Sequence, residues 1–417
     1  MRLLVVTQYF WPEDFRINEL VAELVARGHA VTVLTGLPNY PDGRVFPAYA
    51  RAPDEFVLYR GARVLRVPLA PRGRGSLRLI LNYLSFVITA STLGPWRLRG
   101  ERFDAIFAFE PSPITVGLPA VLLRRLKGAP LVFWVLDLWP ETLEAVGAVR
   151  SSWLLRGVGR LVSFIYDRCD LVLAQSRSFI PQIARWCADA SRIAYFPNWV
   201  ESVYDMAGAA LAPEVPPREG SFDVMFAGNI GEAQDFPAIL DAAEQLKDHP
   251  TVRWLIVGDG RRADWVRQEI ARRGLGERVL MLGRFPVERM PSFYRHADAL
   301  LVSLKPDPIF SMTIPGKVQS YLAAGVPVVA MLDGEGARVI ERAGAGMVCA
   351  AGDGIGLATA VGRLAAMSAT QRAAMGANGA RLAADEFGRD VLIGRLERWL
   401  EQLTRGEPAT TLQEEGQ

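Results

Sequence analysis

The sequence predicts an α/β protein built from two doubly wound, mainly parallel sheets. Three observations carry that expectation. Short continuous apolar runs, the mark of strands buried on both faces, alternate with stretches whose apolar residues recur at helical spacing. The alternation lapses over residues 207–220, rich in Ala, Pro, Glu and Gly, and restarts at Phe222. A chain of 417 residues also exceeds what one hydrophobic core usually organises.

Residues 3–7 read as the first strand. A helix follows with Ile17, Leu20, Val21, Leu24 and Val25 on one face. Gly28 ends it and residues 30–34 form the next strand, completing a βαβ unit. The intervening loop holds no G-x-G-x-x-G, which argues against a dinucleotide-binding dehydrogenase. It presents Trp11, Glu13 and Arg16 near a helix N-terminus at the carboxyl end of a strand, where open α/β sheets place their ligands. Arg16 reads equally as an exposed helix arginine, and His29 as a residue that orders the turn into the second strand. Residues 37–43 are a loop of turn formers.

Residues 60–102 are basic and apolar, with Glu101 as their one acid. Arginines that include Arg72, Arg74, Arg78, Arg97 and Arg102 bracket a helix carrying Leu77, Ile80, Leu81, Leu84 and Ile88 on one face and Trp96 near its end. Such a helix either lies in a bilayer interface facing anionic lipid or is a core helix with solvated flanks. Residues 103–109 form a strand that leads into Glu110, and a helix runs to Leu126. Residues 131–136 form a further strand ending at Asp137, with Glu141 beside it. A carboxylate at the end of a buried strand, with a second one near, suits an active site; a helix N-cap and first-turn pair is the alternative. Residues 171–174 close the strands of this half.

In the second half the pattern restarts at Phe222 with FDVMFAGNIG, and strands are expected at 252–257, 279–282, 299–304, 326–330 and 347–349. Their turns carry Gly228-Asn229, Gly258-Asp259-Gly260 and Gly283-Arg284-Phe285, so backbone can approach a ligand closely. The helix 316–324 bears Val318, Tyr321 and Leu322 at helical spacing; Gly325 stops it and Pro327 bars its resumption. At its entrance stand Pro315, Gly316 and Lys317. Unpaired N–H groups, a glycine and a cation together make a seat for a phosphate or diphosphate; a capped helix with a solvated lysine is the plainer reading. Residues 392–403 form a last amphipathic helix before a polar tail.

The net charge of +2 argues against a general nucleic-acid binder. Three scattered cysteines, Cys169, Cys187 and Cys349, suit a reducing compartment and form no disulfide or metal pattern. The chain opens straight into a strand, so no signal peptide is expected, and polar breaks in the apolar runs argue against a transmembrane helix.

With these residues laid out, the chain resembles glycosyltransferase family 4, of the GT-B fold with two Rossmann-like domains facing a cleft. The segments that carry the likeness are VTQYFWPEDFRINELVAELVARGHAVTVLTGLPNYP, DLWPE, FPNWV, FAGNIGEAQDF, IVGDG, and IPGKVQSYLAAGVPVVA with GEGARVI. The first of these and PGKVQSYLAAG resemble the bacterial O-antigen and capsule subgroup, including N-acetyl-L-fucosamine transferases. The likeness implies an acceptor-side domain over 1–200, a nucleotide-sugar domain over 201–386, a helix over 387–404 returning to the first domain, and a disordered tail over 405–417.

It also implies retaining transfer from a nucleotide-diphosphate sugar to a lipid-linked glycan. The setting would be the cytoplasmic face of the cell membrane, with peripheral attachment to anionic lipid. No metal and no cofactor are expected, so leaving-group charge falls to cations and dipoles. The chain departs from the family pattern in places. The usual pair of glutamates becomes Met312 and Ser320, the Gly-Arg and later Lys become Asn229 and Gln234, and the His-Asp pair becomes Leu136-Asp137. Donor binding is then expected at Arg16, Gly228, Asn229, Gly258, Arg284, Phe285, Pro315, Gly316, Lys317 and Glu335. Asp137, Glu141 and Lys317 are the catalytic candidates, and Trp11, Glu13 and Glu110 the acceptor-side ones. The alternatives are a 2-epimerase of the same fold and a degenerate nucleotide-binding scaffold.

Overall fold

The computed structural model describes residues 1–73, 75–145, 151–201 and 208–407. Arg74, residue 207 of the expected linker and residues 408–417 of the expected tail lie outside the described residues. The chain forms two compact units, Met1–Pro197 together with the chain from Ile393 onward, and Asn198–Leu392.

The first unit is an eight-stranded sheet. Its strands are β1 (Arg2–Val6), β2 (Ala30–Gly36), β3 (Leu58–Tyr59), β4 (Ala62–Val67), β5 (Ala105–Glu110), β6 (Leu131–Val135), β7 (Leu171–Ala174) and β8 (Ile193–Tyr195). They lie in the order β3-β4-β2-β1-β5-β6-β7-β8. All neighbours pair in parallel except β3 with β4. β1 is buried from Leu3 onward, with Leu3 opposite Val31 on one side and Ala105 on the other, as a doubly covered strand requires.

The second unit is a six-stranded, wholly parallel sheet of β9 (Phe222–Ala227), β10 (Val252–Val257), β11 (Val279–Gly283), β12 (Ala299–Ser303), β13 (Val328–Met331) and β14 (Gly346–Cys349). Its order is β11-β10-β9-β12-β13-β14. One apolar layer covers each face, built on Phe226, Trp254 and Leu301 on one side and Met225, Leu255 and Tyr321 on the other. In both sheets the strand order reverses once, at β1/β5 and at β9/β12. The crevice outside such a reversal is where doubly wound sheets bind ligands.

β3, β4 and β8 were not expected; β8 adds a strand after Leu171–Ala174, the last strand expected in this half. Arg66 interrupts the apolar pattern of Ala62–Val67, so that segment reads as part of a basic flank. In the fold Arg66 is buried, because its guanidinium donates to the carbonyls of Gly36 and Trp11.

The expectation that no segment could cross a membrane is also corrected. Leu77–Arg97, 21 residues, is long and apolar enough by length and composition. Asn82, Ser85 and Thr89 break the run in sequence, but they fall on or beside the packed side of the helix Ser76–Arg97. Asn82, Phe86 and Ala90 are buried there, while Leu77, Ile80, Leu81, Leu84 and Ile88 face outward. Asn82 donates to the Ala70 carbonyl and Thr89 to that of Pro68, which ties the helix to the sheet.

The last helix, Arg389–Thr404, contributes Trp399 against Phe196 in the first unit, 6.1 Å between ring centroids. Glu397 meets Arg27 at 2.9 Å and the His29 ring at 2.7 Å.

Candidate functional site

At the β9/β12 reversal the helix Gly316–Ala323 is held by its own core residues, Val318, Tyr321 and Leu322, all fully buried. Tyr321 fixes its position. The Ala227 N–H donates to the Tyr321 hydroxyl at 3.0 Å, and that hydroxyl donates back to the Ala227 carbonyl at 3.1 Å. One helical turn earlier, Lys317 therefore reaches over the end of β9. Its Nζ lies 3.6 Å from the centre of the Phe226 ring and is buried with no hydrogen-bond partner among the described residues. Burial pulls this amine down to a pKa of about 7.

Gly228 makes the room. Its φ is +136°, and a Cβ there would sit 2.6 Å from Lys317 Cε and 2.8 Å from Nζ. A pocket of about 690 Å³ opens on this amine, with Gly228, Arg284, Phe285, Met290, Tyr294 and Ser320 among its walls. A second pocket of about 390 Å³ shares Gly228, Arg284, Phe285 and Met290 and adds Asn229 and the turn Gly258-Asp259-Gly260.

The glycines serve packing as well as ligand approach. A Cβ on Gly258 would lie 1.9 Å from the Gly228 carbonyl, and one on Gly260 2.4 Å from that of Ile230. Gly258 N–H donates to Gly283 O at 2.7 Å, so three strand-end turns are laced together. Nothing stands within 4 Å of a Cβ on Gly316, which leaves that helix entrance open. Pro315 is its N-cap, and no side chain caps the helix. Arg284 is exposed and has no ion-pair partner among the described residues. The Phe285 ring lies tilted against Phe293, 4.6 Å between centroids.

Glu335 is placed elsewhere. It is buried in the first turn of the helix Glu335–Ala343, takes Arg338 at 2.7 Å, and lines neither pocket. Ser320, which stands where the family pattern has a glutamate, does line the larger pocket. It is three residues after Lys317 and so shares its helix face, a spacing the sequence already displays.

At the β1/β5 reversal the first unit gathers carboxylates. Glu110 ends β5 and Asp137 follows β6. Asp137 accepts from the Thr142 hydroxyl at 2.6 Å and the Trp139 indole at 3.2 Å, and is bonded to Ser112. Burial raises its pKa and these bonds oppose the rise. Glu110 is fully buried, and burial, then the Asp137 charge, pushes it well above the usual carboxylate range. One of its oxygens, Oε1, finds no partner. Tyr83, from the helix Ser76–Arg97, bonds Ser112, and the nearby Arg72 charge opposes the upward push of burial on its hydroxyl.

Three sequence candidates are engaged by partners of their own. Glu13 is consumed by main chain, accepting from Phe10 N at 3.1 Å, Asn39 N at 2.8 Å and Tyr40 N at 2.7 Å, so it ties the loop after β1 to the loop after β2. Trp11 packs on Phe56 and Tyr59. Glu141 accepts from the Trp186 indole at 3.1 Å. Arg16 is part-buried, 3.9 Å from Glu19. Tyr83, Ser112 and Thr142 went unseen in the sequence because a hydroxyl carries no signature of its own.

Two doubly wound sheets of this kind are the architecture of the GT-B fold, and the comparisons identify a glycosyltransferase. Residues 15–199 match the Glycosyl transferase 4-like domain family and residues 221–367 the Glycosyl transferases group 1 family, so each half of the chain is similar to a glycosyltransferase domain. It is 26% identical over 352 residues to WcaI of Escherichia coli K12, named for colanic acid biosynthesis, covering 78% of this chain and 82% of WcaI. It is 29% identical over 390 residues to a 2-deoxystreptamine glucosyltransferase of Streptomyces kanamyceticus, covering 89% and 93%. Among solved structures, HepE of Anabaena in complex with UDP superposes with a TM-score of 0.69 at 17% identity, covering 96% of this chain and all of HepE.

Proposed function

We propose that this glycosyltransferase moves a sugar, with retention of configuration, from a nucleoside-diphosphate sugar to a lipid-linked glycan during cell-surface polysaccharide assembly. It works at the cytoplasmic face of the cell membrane. One observation carries the donor half, the buried Lys317 amine without a hydrogen-bond partner at the wall of an open pocket. An amine so placed lacks only an anion. The names of WcaI and of HepE bound to UDP and glucose support the choice of polysaccharide and nucleotide-sugar chemistry.

In this reading the bond from the anomeric carbon to the phosphate oxygen breaks and a bond to the acceptor hydroxyl oxygen forms. Protonated Lys317 and the main-chain N–H groups at Gly316 stabilise the charge growing on the departing diphosphate. Asp137, held by Thr142 and Trp139, orients the acceptor hydroxyl and takes its proton. Ser320 offers a hydroxyl where the family pattern has a carboxylate.

A panel of uridine and guanosine diphosphate sugars, incubated with lipid extract, tests this by nucleoside-diphosphate release. Release with one donor that requires the extract is the expected result. Release of nothing, with nucleotide still bound, favours a scaffold that has lost catalysis, a reading prompted by Met312 and Ser320. Conversion of the donor sugar without any acceptor favours an epimerase.

A further inference from the structure

Three helices of the first unit stand side by side. Ser76–Arg97 packs against Gly117–Lys127, which packs against Ser152–Tyr166. None of the three carries an aspartate or glutamate. Each turns outward apolar side chains that a solvated helix keeps in: Leu77 is 83% exposed, Leu126 56% and Trp153 67%. Ile80, Leu81, Leu84 and Ile88 extend the patch on the first helix, and Leu154 and Phe164 on the third. Arg78, Arg97, Arg125, Arg156 and Arg160 are exposed among them, with no ion pair among the described residues.

Apolar patches of this extent on a monomer mark an interaction surface. The charge selects the partner. A second copy set against this face across a two-fold axis brings arginine against arginine, which repels. An anionic bilayer supplies both what the apolar side chains need and what the arginines need. Tryptophans such as Trp96 and Trp153 favour the headgroup level, and arginines extend to it along their apolar stems.

The first helix also joins this face to the acceptor corner. Tyr83, bonded to Ser112 beside Asp137, is the immediate neighbour of outward-facing Leu84. We propose that the three helices form one docking face for an anionic bilayer, which seats the protein on the lipid without spanning it and opens the Asp137 corner to acceptors held there. The last clause rests on the glycosyl-transfer reading; the lipid binding does not.

The test is co-sedimentation of the full chain with vesicles of phosphatidylcholine alone or mixed with phosphatidylglycerol. Circular dichroism checks the fold and calorimetric titration with UDP checks the donor site. The parent should bind the anionic vesicles at least tenfold more tightly, and less so as salt rises. Leu81→Ser with Leu84→Ser, Trp153→Ser with Leu154→Ser, and Arg156→Glu with Arg160→Glu should each lose tenfold or more while UDP affinity holds. A parent that ignores anionic vesicles overturns the proposal. So does wild-type binding by both sets on Ser152–Tyr166, or a concentration-dependent dimer that these substitutions dissolve. Failure of the parent to bind UDP strikes the donor-site reading and leaves this one standing.

Discussion

The two strand-order reversals hold opposite kinds of charge in opposite states. At β9/β12 a cation, Lys317, is buried and its amine makes no hydrogen bond. At β1/β5 an anion, Asp137, is buried and bonded to Thr142, Trp139 and Ser112. The first is a charge left without a hydrogen bond, the second a side chain already fixed in orientation. On the proposed function the difference has a reason: a diphosphate brings its own charge and needs a counter-charge held ready, whereas an acceptor hydroxyl brings none and needs a base held in place. Asp223 with Arg253, buried at 2.5 Å in the second unit, shows what this fold does with charges it uses only structurally: it pairs them.

Breaking the cationic side should have the larger effect. For Lys317→Met we expect turnover to fall about a hundredfold or more, the scale for losing a charge-stabilising contact in the transition state. The same substitution should stabilise the free protein. Burial sets the folded pKa at about 7 against 10.5 for an ordinary lysine. Between those pH values the unfolded chain holds a proton that the folded chain lacks, so stability rises with pH across that window. Removing the amine removes this penalty, so the melting temperature at neutral pH should rise. Steady-state rates and thermal melts check the pair of outcomes; a variant both active and unchanged in melting temperature makes Lys317 a bystander.

Asp137→Asn attacks the anionic side. Transfer should drop about a hundredfold, as for loss of a general base, with UDP affinity unchanged. A fall in UDP affinity with intact turnover of the bound complex would move Asp137 to the donor.

Gly228→Ala sharpens the comparison without touching either charge. A Cβ at φ +136° is strained and meets Lys317 Cε at 2.6 Å, so the amine must leave its place over Phe226. A loss of about tenfold in UDP affinity is expected, on the scale of about 1.4 kcal/mol, read by titration. The smallest effect is the pH dependence of UDP binding by the parent. Below about pH 7 Lys317 is charged and ready; above it the amine must take up a proton as the anion arrives. Affinity should therefore weaken as pH rises from 7 to 9, by at most about tenfold per unit. Titration in buffers of differing ionisation heat should show proton uptake, and a flat profile counts against Lys317 as the contact.

Lys317 was legible in the sequence because its signal is local: Pro315 and Gly316 before an apolar helix, Gly325 after it. The strand ends that carry Gly228 and Asp137 were legible for the same reason. What stayed hidden depends on partners far along the chain. Glu13 is spent on the main chain of Asn39 and Tyr40, and one oxygen of Glu141 takes the Trp186 indole, partners 26, 27 and 45 residues away that no local pattern announces. Glu335 looks like a ligand group until Arg338, one turn on, takes it. The outward stripe of Ser76–Arg97 matched both a core helix and a surface one, and only the packing of Asn82, Phe86 and Ala90 on the sheet decides between them.

The paired hydrogen bonds between Tyr321 and Ala227 carry one more consequence. A hydroxyl that accepts from the amide and donates to the carbonyl of the same residue fixes the helix to the strand tip before any nucleotide arrives. The Ala227 amide should then exchange with deuterium only when the sheet itself opens. Binding need not order the helix that carries Lys317. The entropic loss on association falls on the nucleotide and on exposed side chains such as Arg284, which is the thermodynamic meaning of a site built in advance.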